Sequence, residues 1–230
     1  MKFRSLLVAA LALAGAASAG AAIQTTDYGS YSLSYDDSTS FGGPSYNLTG
    51  GSGLVGFGWS VPTSVGIAAV GTNSTLTFAL PDFTVTAKSG YIFSGAVTGS
   101  IGNLVFNEFN GGATSAIAGG NVSIDGGPTA ATFGGLTQTV TNSLGIYQTG
   151  YFSGSSTQTL PSFSSLAFSG GTLILGANAG PSGFASIVGQ TQNKLEFTMV
   201  AAPVPEPESA AMMMVGLLAI GTIIRRRRQA

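Results

Sequence analysis

The chain has 230 residues, a formal charge of −1, 35 glycines and only 7% charged side chains, where soluble domains usually carry about a quarter. It contains no cysteine and no histidine, which excludes thiolate zinc sites, cysteine nucleophiles, disulfide staples, histidine bases and Ser-His-Asp triads. Between residues 20 and 202 only Lys88 and Lys194 balance Asp27, Asp36, Asp37, Asp82, Glu108, Asp125 and Glu196, so the clustered cations that a nucleic acid demands are missing.

Residues 1–19 read as a secretory signal peptide. Lys2 and Arg4 form a charged start, Leu6 to Ala17 an apolar stretch too short for a stable span, and Ala17-Ser18-Ala19 a small-x-small cleavage site. Gly20 is then the first mature residue, and the general secretion machinery is the first partner.

Residues 20–202 are expected to form one extracytoplasmic β-rich domain. Tyr28, Tyr31, Tyr35 and Tyr46 cluster near its start, and the single tryptophan, Trp59, follows a glycine-rich run. Exposed aromatic faces stack on sugar rings, which makes Tyr31, Tyr35 and Trp59 candidate contacts for an exopolysaccharide. The other reading of the same residues is core filling, with the polar ends at the rim.

Period-two alternation recurs along the domain: Leu76, Phe78 and Leu80; Phe83, Val85 and Ala87; Val122 and Ile124; Leu173 and Leu175; Leu195, Phe197 and Met199. This is the signature of half-buried strands. Between them, Gly42-Gly43-Pro44, Gly50-Gly51, Gly111-Gly112, Asp125-Gly126-Gly127-Pro128, Gly134-Gly135, Gly170-Gly171 and Ala179-Gly180-Pro181 have turn chemistry. The expectation is an all-β, antiparallel β-sandwich of short strands, with no fixed repeat that would favour a solenoid.

No cofactor or metal site is expected. Asp36-Asp37 and Asp125 lie in turn-like segments where calcium is a minority alternative to ordinary turn chemistry. Catalysis by a carboxylate pair would need two acids facing one another across a sugar, and nothing in the sequence brings two together. The expected role is therefore non-catalytic, structural or adhesive. The alternative is a carbohydrate-active hydrolase using paired carboxylates, to be tested at Glu108 and Asp125. Glu196 alternates with the apolar residues of the last strand and is expected to face solvent.

Residues 203–230 form a separate segment. Pro203-Val204-Pro205-Glu206-Pro207-Glu208-Ser209 cannot join a sheet interior or a helix and stays extended and reachable. The stretch 209–224 reads as a short transmembrane helix, capped by Ser209 and apolar all round. Arg225, Arg226, Arg227 and Arg228 stay cytoplasmic by the positive-inside rule, which leaves the domain outside the inner membrane. The motif Val204-Pro205-Glu206-Pro207, the short apolar helix and the terminal basic cluster resemble the PEP-CTERM sorting signal of exopolysaccharide-producing Gram-negative bacteria. The resemblance implies recognition at Pro205-Glu206-Pro207 by an exosortase, a transient stay in the inner membrane, and transfer to the cell surface, biofilm or medium.

Overall fold

The computed structural model describes residues 23–190, 194–204, 212–215 and 217. The signal peptide expected at 1–19 and most of the span expected at 209–224 lie outside the described residues. Residues 212–215 and 217 are helical and exposed. No helix among the described residues is long and apolar enough to cross a membrane.

Two antiparallel sheets enclose one core, as expected for a sandwich. The first sheet has the order β1 (Ile23–Asp27), β2 (Tyr31–Asp36), β7 (Phe83–Ala87), β12 (Ser165–Asn178), β9 (Ala113–Ile124), β10 (Thr129–Thr141), and β6 (Asn73–Ala79) continues the line of β7 along β12. The second has the order β3 (Tyr46–Thr49), β4 (Leu54–Ser60), β14 (Lys194–Pro203), β8 (Tyr91–Phe109), β13 (Phe184–Val188), β5 (Gly66–Val70), and β11 (Tyr147–Phe163) takes the other side of β8. The length of β8 explains this layout, because β14 pairs with its first half and β13 with its second.

Strands form at the alternating stretches, and Leu195, Phe197 and Met199 of β14 are buried, as are Leu173 and Leu175 of β12; β6 departs from the expected pattern, because Leu76 is exposed and Leu80 lies beyond the strand's end. Two of the predicted turns are not turns. Gly134-Gly135 and Gly170-Gly171 fall inside β10 and β12, at the register shifts between Phe133 and Leu136 and between Ser169 and Thr172. They mark β-bulges within long strands, which bend a sheet without ending it. Bulged register shifts also interrupt the pairing of β8 with β11, and these strands run on for 19 and 17 residues.

Other strand glycines make room for rings. A Cβ on Gly120 or Gly171 would strike the Phe168 ring, one on Gly150 the Phe106 ring, and one on Gly58 the Tyr46 phenol. The missing side chains at these glycines leave the room that the aromatic groups occupy. At the centre, Phe83 packs against Phe57, Trp59, Phe168 and Phe197 at centroid separations of 5.0, 5.6, 5.3 and 4.6 Å, the offset and edge-on distances that aromatic rings prefer.

The two sheets meet along β10 and β11. Gln138 Nε2 donates to the Ser153 carbonyl at 2.6 Å and Gln158 Nε2 to the Thr132 carbonyl at 3.4 Å. Side-chain amides therefore occupy edge carbonyls that would otherwise invite another strand.

Candidate functional site

Of the three aromatic residues expected to touch sugar, two are core residues. Tyr31 and Trp59 are 1% and 0% exposed; the Tyr31 hydroxyl donates to the Gly56 carbonyl and Trp59 Nε1 to the Gly42 carbonyl, each at 3.0 Å. Burial, with a smaller contribution from neighbouring Tyr28, pushes the Tyr31 phenol well above its usual range. Their ring faces have no solvent side, and the glycan-contact expectation is corrected for both. Tyr35 is half-buried beside Asp36 and Asp82 at one end of the first sheet.

Asp36 and Asp82 lie side by side, the Asp36 amide donating to the Asp82 carbonyl at 3.1 Å and both residues lining one depression with Tyr35; the other carboxylates are dispersed. Glu108 is fully buried at the far end of β8, where Thr114 Oγ1 donates to Oε1 at 2.7 Å and Oε2 has no hydrogen-bond partner among the described residues. Asn142, also buried, donates through Nδ2 to the carbonyls of Glu108 and Ile146 at 3.1 and 2.6 Å. Asp125 accepts from the amides of Ser164 and Ser165, both at 2.8 Å, and so ties down the turn that leads into β12. Asp36 accepts from the Ser38 amide at 2.8 Å; hydrogen bonds from Ser38 hold its carboxyl below the usual range. No group of three or more potential metal-ligating Asp or Glu side chains forms among the described residues.

Glu196 lies on the solvent face of the second sheet, as alternation predicted, between buried Leu195 and Phe197. It pairs in register with Ser100 of β8, eight residues before Glu108, or about 27 Å along an extended strand. The two glutamates therefore occupy opposite faces and distant positions of one sheet, whereas glycosidase carboxylates stand about 5 to 9.5 Å apart.

The surroundings of Glu196 are the most differentiated region of the outer surface. The Tyr46 hydroxyl, lying over Gly58, donates to Glu196 Oε2 at 3.0 Å. Burial first, and the Glu196 charge and hydrogen bond after it, push the Tyr46 phenol above its usual range and keep it a donor. On the other side of Glu196, the register of β8 and β11 shifts between Phe152 and Gly154. The bulge opens a depression of about 580 Å³ lined by Ser100, Ile101, Gly102, Ser153, Gly154, Ser155 and Glu196. Further along β11, on the same face as Ser153, stand Tyr151 and Tyr147, 65% and 60% exposed. Tyr147 donates through its hydroxyl to Asn107 Oδ1 at 2.8 Å.

Sequence reasoning missed Tyr147, Tyr151 and the serines beside them. Alternation of Tyr147, Thr149, Tyr151 and Ser153 was the available signal; their junction with Glu196 depends on pairing across β8.

The sheet runs into the start of the tail, which was expected to stay clear of it from Pro203 onward. Pro203, last residue of β14, pairs with Tyr91, and the Val204 amide donates to the Gly90 carbonyl at 2.8 Å. Residues 203–228 match the family model of the PEP-CTERM protein-sorting motif. The chain carries a PEP-CTERM sorting signal. That signal implies an exosortase as processing partner and sorting through the membrane to the cell surface.

No curated protein matches the chain. Among solved structures, Eiger TNF from S. frugiperda aligns at 14% identity over 54% of this chain and 68% of its own, with a TM-score of 0.23. The module TmCBM61 in complex with β-1,4-galactotriose aligns at 9% identity over 81% and 90%, with a TM-score of 0.19. Infectious bursal disease virus, Gx strain, aligns at 14% identity over 64% and 42%, with a TM-score of 0.20.

Proposed function

We propose that this is an exported, exosortase-processed surface or matrix protein whose β-sandwich has a structural or adhesive role without catalysis, in association with exopolysaccharide. The observation that carries the reading is the join between domain and sorting signal. The matched segment starts at residue 203, where the β14 ladder finishes, so cleavage within the proline motif leaves every strand pair of the sandwich intact. A domain sorted in this way is delivered folded and whole.

The separation of Glu108, Asp125 and Glu196 supports a non-catalytic role: Glu108 faces the interior, Asp125 serves a turn, and Glu196 stands on the opposite face of its sheet from Glu108. The signal peptide at 1–19 and the arginine run at 225–228 supply the export and orientation that the reading needs.

The test is the intact mass and terminal peptides of the protein from the surface and released fractions of its host, beside an exosortase-deficient strain. The expected mature form starts near Gly20 and ends near Pro207 only when the exosortase is present. A tail retained through Arg228 in both strains would make it a plain membrane-anchored protein.

A further inference from the structure

We infer that the solvent face of the second sheet, along β11 from Tyr147 to Ser155 and across to Glu196, is a binding site for an internal segment of a neutral polysaccharide. This rests on the reading of a surface protein associated with exopolysaccharide and gives that association a location.

Three observations converge on that ligand class. Tyr147 and Tyr151 stand on one face of one strand, four residues apart, or about 14 Å, with most of each ring in solvent. Two such platforms along a straight line suit the apolar faces of sugars in an extended chain. Beside them, the bulge between β8 and β11 forms a depression lined by Ser100, Ser153 and Ser155 together with Gly102 and Gly154. Serine hydroxyls both donate and accept, and the Glu196 carboxylate accepts, which is the complement of sugar hydroxyls. Finally, Tyr46 holds one oxygen of Glu196 at 3.0 Å, so the carboxylate is oriented before any ligand arrives, as tight polar recognition requires.

Shape and charge narrow the choice. The depression is open rather than closed, and the β11 track continues past it through Thr157, whose hydroxyl bonds that of Thr98 at 2.8 Å, so a chain can run through without presenting an end. A polyanionic glycan would meet the Glu196 charge. Serine and glycine dominate the depression, while Phe109 lies exposed beside Tyr147, so a second copy of this chain is the competing occupant that light scattering separates.

The test uses the full-length chain in mild detergent, run by affinity electrophoresis through gels containing β-1,4-galactan, β-1,3-glucan, hydroxyethyl cellulose or alginate, and through gels containing the host's own polysaccharide. The expected result is retardation by a neutral polymer, weakened at least tenfold in Tyr147→Ala/Tyr151→Ala and reduced in Glu196→Gln, with Ile117→Thr on the other sheet as a control that binds fully. Circular dichroism melts of each variant separate binding from folding. Retardation that persists in both site variants overturns the location while the adhesive reading stands. No retardation by any polymer, including the host's own, overturns the glycan association as well. Retardation by alginate alone overturns the neutral ligand. A concentration-dependent mass in light scattering, abolished by Tyr151→Ala without any retardation, would assign the face to self-association instead.

Discussion

The tyrosine inside the sandwich, with its neighbour Trp59, and the tyrosines on the solvent face of the second sheet stand in opposite situations. Trp59 and Tyr31 are enclosed on all sides, and their polar atoms are used up on the Gly42 and Gly56 carbonyls. Tyr147 and Tyr151 stand clear of the sheet, and the Tyr147 hydroxyl reaches only across to Asn107 on the neighbouring strand. The difference shows that residue type settles little in a glycine-rich β domain; the face of the pleat and the fate of the hydroxyl decide whether a ring supports the fold or is available to a partner.

The sharpest way to break this distinction is at Phe83, which meets four other rings. Phe83→Ala is expected to cost about 3 to 5 kcal/mol, through lost burial and an unfilled cavity, measured by urea denaturation followed by circular dichroism. A loss below about 1 kcal/mol, well under the range for a buried ring, would mean that the aromatic cluster is not the centre of stability. Next is Gly120→Ala, where the new methyl falls on the Phe168 ring; overpacking of this kind costs about 1 to 3 kcal/mol. Full stability in that variant would show that the ring can move aside.

Tyr31→Phe keeps the ring and removes the hydroxyl, leaving the Gly56 carbonyl with one partner fewer, for a loss of about 1 to 2 kcal/mol near neutral pH. It also sharpens the comparison through pH. The Tyr31 phenol is raised in the fold from its ordinary value of 10.0, so its contribution is complete below about pH 10 and declines as the pH rises above it, where the unfolded chain loses the proton first. The wild type is expected to lose stability in that alkaline range more steeply than Tyr31→Phe, and equal slopes in urea titrations at successive pH values would contradict the assignment. Smallest in stability is Tyr151→Ala, expected to shift unfolding by no more than about 0.5 kcal/mol. A large destabilisation there would make Tyr151 a packing residue like those inside.

Much of the fold was legible because alternation is a local property. Leu195, Phe197 and Met199 point inward and Glu196 outward, as period two requires. The sorting segment was legible for a similar reason, since its motif, apolar stretch and arginines follow one another along the chain. Gly134-Gly135 and Gly170-Gly171 look like turns because turns and bulges draw on the same backbone freedom, and only the register across the neighbouring strand separates them. The candidate site was hidden more deeply. Tyr46, Ser100, Ser153 and Glu196 come from four strands, and their meeting depends on β14 and β11 flanking β8, which no local pattern encodes.

That same arrangement sets how the molecule carries load. The sorting tail leaves from β14, which is gripped on one side by β4 and on the other by β8, while β11, bearing the exposed tyrosines, is bonded to the far side of β8. With a polymer bound on β11 as proposed, tension between it and the tail would run through three adjacent strands, β11, β8 and β14. Load along the strands would require the ladder bonds of β8 with β11 and β14 to slip together rather than open in succession.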